Sequence, residues 1–120
     1  MADPAPPSIP AEWSPETVLV HGGTMRSPFG ETSETLYLTQ SYIYGTAEQA
    51  EARFKDEEPG FIYSRFSNPT VAMLEERIRL LEGAEAARAT ATGMAAVTSA
   101  LLSYLSAGDH VVAAKALFGS

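Results

Sequence analysis

Between residues 68 and 83 the apolar side chains Val71, Leu74, Ile78 and Leu81 recur three and four positions apart. That spacing places them on one face of a helix. Asn68 is a good N-cap, Pro69 suits the first helical position, where an N–H would have no partner, and Gly83 suits the C-terminal end. Glu75, Glu76, Arg77 and Arg79 fall mostly on the solvent side, and Glu75–Arg79 is an i,i+4 pair in the favourable order. A shorter helix is expected over TAEQAEARF, capped by Thr46 with Gln49 completing a capping box, and it ends in the charged turn 55–60. Downstream, the pattern predicts a strand near 86–90, a turn, and a helix over about 93–105 with Val97, Leu101, Leu102 and Leu105 facing inward. Residues 106–109 stop that helix, and 110–114 form a compact apolar strand. Strand, helix, strand is a βαβ unit, which implies parallel strands and an α/β fold.

The first part of the chain has a different character. Prolines at positions 4, 6, 7, 10 and 15 forbid a continuous helix and predict a disordered or extended tail. Residues 16–45 show no helical period, and the aromatic, β-branched run 36–44 does not alternate cleanly. These features predict an extended arm lying across another surface. Residues 1–60 are therefore read as an N-terminal arm with a short helix, and 61–120 as the beginning of an α/β domain. The sequence stops directly after an apolar segment, and the expectation is that a larger domain continues beyond it.

Composition narrows the chemistry. A net charge of −7 disfavours nucleic acid as a partner. The absence of cysteine removes disulfides and thiolate metal sites, and His21 and His110 match no metal spacing, so no metal site is expected. No apolar run is long enough for a membrane span, and the proline-rich N-terminus is not a secretory signal. A cytoplasmic protein is expected.

Two stretches suit an anion. Thr90–Ala96 joins a predicted strand to a helix, where Gly93 permits close approach and the first helical N–H groups point outward with the positive end of the helix dipole. The same turn also fits a plain junction that uses glycine for packing. In Tyr63-Ser64-Arg65-Phe66-Ser67-Asn68-Pro69-Thr70, an arginine between aromatics precedes a capped helix and could bind phosphate bidentately. Tyr63 would share its face if the segment were a strand. A surface arginine beside a half-buried tyrosine fits that stretch too.

YSRFSNPT resembles the Tyr-Ser-Arg-x-x-Asn-Pro-Thr signature of the Cys/Met-metabolism enzymes that depend on pyridoxal 5'-phosphate (PLP). ATGMAA is similar to that family's phosphate turn, and KALFGS to the segment whose aromatic residue stacks on the cofactor. The resemblance runs from about Thr17 to Ser120 and implies a type I PLP fold. It further implies that Tyr63 and Arg65 bind the PLP phosphate of a neighbouring subunit. Backbone N–H groups of Gly93 and Met94 would bind that phosphate from the other side, and Phe118 would stack on the ring. Most members carry tyrosine at the position of Phe118, so a hydroxyl is missing here. A homo-oligomer, a tetramer built from dimers with shared active sites, is implied as well.

Within the family, HGGTMRSPFGETSETLYLTQSYIY and the segments after it resemble the sulfhydrylase branch that takes O-succinylhomoserine and sulfide to homocysteine in methionine biosynthesis. Cystathionine γ-synthase and O-acetylhomoserine sulfhydrylase are the alternatives. Family members carry the cofactor on a lysine in a Ser-x-Thr-Lys context, and neither Lys55 nor Lys115 matches it. No catalytic residue is therefore expected in this stretch. The 120 residues alone are expected to be inactive, with a non-catalytic truncated chain as the alternative of another class.

Overall fold

The computed structural model describes residues 9–117, which form two compact units, one ending at Ala89 and the other beginning at Thr90. The first holds α1 (Pro15–His21), α2 (Ala47–Phe54) and α3 (Pro69–Glu82), and the second holds α4 (Gly93–Leu102).

Local chemistry explains each helix start. The side chains of Ser14, Thr46, Asn68 and Thr92 accept hydrogen bonds from the N–H groups of Thr17, Gln49, Thr70 and Ala95 respectively. Each satisfies a donor that the helix itself leaves free. The expected box at α2 is shifted by one residue: the Gln49 Oε1 accepts from the N–H of Gly45, ahead of the Thr46 cap, at 2.8 Å. α3 ends at Gly83 in the left-handed conformation, φ +59°, where glycine carries no steric cost.

α1 lies in a stretch expected to lack helix. Its signal is the same polar-cap-then-proline pair that opens α3. The helix survives at 7 residues because it packs against α3. Gly22 and Gly23 make that approach possible. Gly23 sits at φ +74°, and a Cβ there would lie 2.9 Å from Cγ of Glu76 on α3. Arg77 fastens the junction, donating to the Gly22 carbonyl and the Thr24 hydroxyl at 3.2 Å each and pairing with Glu34.

The expected strands do not form. Among the described residues there is no sheet, only one isolated antiparallel bridge, Ser41 with Tyr63. A strand exists only through a hydrogen-bonded neighbour. Near 86–90 that role goes to a side chain: Glu75 on α3 accepts from the Ala89 N–H at 2.7 Å and pairs with Arg88 at 2.8 Å. No backbone hydrogen bond to residues 110–114 is found among the described residues.

Two further expectations are corrected. Glu75 pairs with Arg88, so Arg79 binds Glu76 instead, through both carboxylate oxygens at 2.7 Å. The face of α3 that is buried is Pro69, Ala72 and Met73, whereas Val71, Leu74, Ile78 and Leu81 remain 43–52% exposed. Gly22 and Gly23 bring the chain close to α3 at Leu80, Glu76 and the Met73 carbonyl. On α4, Val97, Leu101 and Leu102 are exposed rather than inward, and the helix ends at Leu102.

Candidate phosphate site

The octapeptide is a turn followed by a capped helix. The Tyr63 carbonyl accepts from the N–H groups of Phe66 and Ser67, at 2.9 and 3.2 Å. This turn, rather than a strand, brings Tyr63 and Arg65 together. The Arg65 guanidinium lies 5.5 Å from the centre of the Tyr63 ring and 5.0 Å from that of Phe66, a cation–π arrangement on both sides.

Arg65 is singular among the arginines. Arg53, Arg77, Arg79 and Arg88 each pair with a carboxylate, and Arg26 donates to the Glu31 carbonyl. Arg65 has aromatic faces for neighbours and no hydrogen-bonded or carboxylate partner among the described residues. The Tyr63 hydroxyl likewise has no hydrogen-bond partner among them. Both side chains line a cavity of about 400 Å³ with Tyr42, Tyr44, Phe54 and Ile62. Its walls are aromatic, and its unspent donors are the guanidinium and the phenol. Such a set fits a dianion, since no carboxylate among the described residues pairs with the guanidinium.

In the second unit, Thr92 caps α4 and leaves the N–H groups of Gly93 and Met94 without an intrahelical partner. Nothing lies within 4 Å of where a Gly93 side chain would begin, so the approach to these donors is open. Phe118 lies outside the described residues.

The sequence reading gave Asn68 a single role, as a cap. Its side chain is a junction. Oδ1 accepts from the Thr70 N–H at 2.9 Å, while Nδ2 faces the Tyr37 carbonyl at 3.0 Å, the Ser64 hydroxyl at 2.9 Å and the Tyr42 hydroxyl at 3.2 Å. Ser64 in turn donates to the Thr39 carbonyl, and its N–H donates to the Gln40 carbonyl at 2.8 Å. The Thr70 hydroxyl accepts from the Tyr37 N–H at 2.8 Å. Ser64, Asn68 and Thr70 thus tie the arm to the motif. Their partners lie about 25 to 33 residues away, and no local pattern announces them.

The arginine–tyrosine donor pair beside an aromatic cavity in the first unit, and the capped helix start open at glycine in the second, are each chemistry that suits a phosphate group. Comparison with known proteins agrees. The family model for Cys/Met metabolism PLP-dependent enzymes matches residues 16–120, and the chain belongs to that family. It is 54% identical over 115 residues to the O-succinylhomoserine sulfhydrylase of Mycobacterium tuberculosis (strain H37Rv), covering 96% of this chain and 28% of that protein. It is 46% identical over 103 residues to the L-methionine gamma-lyase of Fusobacterium nucleatum subsp. polymorphum, 86% of this chain and 26% of that one. Among solved structures it is similar to a putative O-acetylhomoserine (thiol)-lyase of Campylobacter jejuni, with TM-score 0.75 and 37% identity over 81% of this chain and 23% of the other. That structure carries a pyridoxyl-lysine-phosphate. This chain therefore spans roughly a quarter of the length of these relatives. PLP is the family's cofactor, and the likeness to the Campylobacter enzyme is consistent with the type I PLP fold. No described helix is long and apolar enough to cross a membrane.

Proposed function

We propose that this chain supplies the phosphate-anchoring part of a PLP enzyme that replaces the γ-substituent of O-succinyl-L-homoserine with sulfide. The products are L-homocysteine and succinate: the Cγ–O bond breaks, a Cγ–S bond forms, and succinate leaves with the electron pair. The observation that carries the reading is the unspent donor pair Tyr63 and Arg65 beside the aromatic cavity. The choice of ester and sulfur donor is supported by the 54% identity to the Mycobacterium tuberculosis sulfhydrylase, against 46% to the methionine gamma-lyase.

When bound, PLP supplies an electron sink for charge developing on the amino-acid substrate. The residues here hold it in place. Arg65 meets the phosphate through charge-assisted hydrogen bonds, and the Tyr63 hydroxyl donates one more. The N–H groups of Gly93 and Met94 donate at the positive end of α4. Phe118 offers a ring surface for stacking and no hydroxyl. Fixing the phosphate fixes the reactive atoms relative to the substrate. The enzyme is read as a cytoplasmic homotetramer built from dimers, with Tyr63 and Arg65 serving the cofactor of a neighbouring subunit.

The test is to assay the full-length protein with O-succinyl- and O-acetylhomoserine, each with sulfide and with cysteine, and with L-methionine alone. Homocysteine and succinate should form fastest from the succinyl ester with sulfide. Faster cystathionine formation, a preference for the acetyl ester, or release of methanethiol from methionine would each overturn the assignment.

A second reading applies to the 120 residues by themselves. Lys55 is engaged by Glu51 on the turn after α2, and neither it nor Lys115 matches the family's cofactor-bearing lysine motif. Alone, the chain is a non-catalytic piece.

A further inference from the structure

We infer that Asn68 is a positioning residue for the phosphate pair, acting through Ser64 and the arm, an inference that rests on the reading of Tyr63 and Arg65 given above. Asn68 is 8% exposed and touches neither of those side chains through any hydrogen bond. What it touches is the residue between them. Its Nδ2 donates toward the Ser64 hydroxyl at 2.9 Å, and that hydroxyl donates onward to the Thr39 carbonyl. With the Ser64 N–H bound to the Gln40 carbonyl, residue 64 is held on both its main chain and its side chain. Tyr63 and Arg65 are exposed on either side of it, while Ser64 is half-buried.

Two hydrogens on Nδ2 face three acceptors, the Tyr37 carbonyl and the Ser64 and Tyr42 hydroxyls. The amide therefore has no spare donor, and loss of its Nδ2 would take both hydrogens from this set of acceptors. Tyr42 also lines the cavity that Tyr63 and Arg65 line. The network thus fixes one wall of the cavity and the turn that presents the donors. A guanidinium near the Tyr63 and Phe66 rings, with no carboxylate partner among the described residues to orient it, depends for its aim on how firmly the turn is held.

Asn68→Asp separates this role from helix capping. Aspartate keeps the acceptor for the Thr70 N–H and caps as well as asparagine. It replaces the donating Nδ2 with an oxygen that faces the Tyr37 carbonyl. The experiment titrates the full-length apoprotein with PLP and measures Kd for the wild type, Asn68→Asp, Arg65→Ala and the double variant, with a thermal melt of each apoprotein. Asn68→Asp should raise Kd about five- to tenfold, and the double variant should bind no worse than Arg65→Ala, because coupled residues do not add. A solely structural role would lower the melt without that non-additivity. If Asn68→Asp does not fold, Ser64→Ala interrupts the same relay and must show the same coupling. Additive effects, or an unchanged Kd in Asn68→Asp when Arg65→Ala weakens binding, would overturn the positioning role alone. An unchanged Kd in Arg65→Ala would overturn the phosphate reading beneath it.

Discussion

Removing the side chain of Arg65 and removing that of Arg79 should have opposite consequences. Arg65 contributes to folding only through cation–π contacts at an exposed site, worth about 0.5–1 kcal/mol. Its charge-assisted contact with a phosphate is worth roughly 1.5–3 kcal/mol. Arg65→Ala should therefore raise the Kd for PLP by about 10- to 160-fold. Arg79 is committed elsewhere. It holds both oxygens of Glu76 at 2.7 Å and donates to the Ala84 carbonyl at 3.2 Å, beyond the end of α3. Glu76, first through that hydrogen bond and then through its charge, holds the Arg79 pKa above its ordinary value. Arg79→Ala leaves a carboxylate that is only 15% exposed without its partner and so lowers stability. The assay pairs titration of the full-length apoprotein with PLP and a thermal melt. Arg65→Ala should lose affinity with only a small drop in its melt, and Arg79→Ala should keep its affinity and melt earlier. Equal affinity in the two variants would remove Arg65 from the phosphate site.

Two shorter predictions follow from the same coordinates. The Ser27 hydroxyl and then the Ser27 N–H, at 2.6 and 2.7 Å, hold the Glu31 carboxyl down at about 2, so its ionised form contributes stability above the ordinary value of 4.5 that is lost as pH falls toward 2. An NMR titration should find that low midpoint, and Ser27→Ala should move it upward; no movement would show that the hydroxyl is not the cause. The 120-residue chain by itself should self-associate and take up no stoichiometric PLP, because Val71, Leu74, Ile78 and Leu81 on α3 and Leu101 and Leu102 on α4 are all exposed. Elution as a monomer in size-exclusion chromatography, with a reducible adduct at one lysine, would contradict both statements.

The helix starts at Thr46 and Asn68 were legible because a cap is a contract between residues two or three apart, whereas the start of α4 was read from the turn before Gly93 and its cap, Thr92, was not. α1 used the same grammar at Ser14-Pro15, but its run of Val18, Leu19 and Val20 has no helical period over so short a span, and packing on α3 decides its form. Periodicity marked an apolar stripe on α3, yet it could not show that burial would fall on Pro69, Ala72 and Met73 instead. The strands at 86–90 and 110–114 depend on neighbours that a linear pattern does not name. At the site, the types and spacing of Tyr63 and Arg65 were readable. That Arg65 has no carboxylate, and that Asn68 serves the arm as well as α3, became visible only once distant residues were in place.

Among the links between the arm and α3, Asn68 holds Tyr37 and Arg77 holds Glu34, and the first span lies inside the second. Closing the Asn68–Tyr37 span alone means ordering a loop of 31 residues. Once Arg77 has met Glu34, the path between the same two groups runs three residues back along the arm and nine along α3, about a dozen in all. Loop-closure entropy then falls by about 0.8 kcal/mol. Each clasp therefore makes the other easier to shut, and neither gains its full value alone. The arm should come off α3 as one piece, so a solvent change or substitution that opens the clasp at Glu34 will be felt at Asn68 without any contact passing between them.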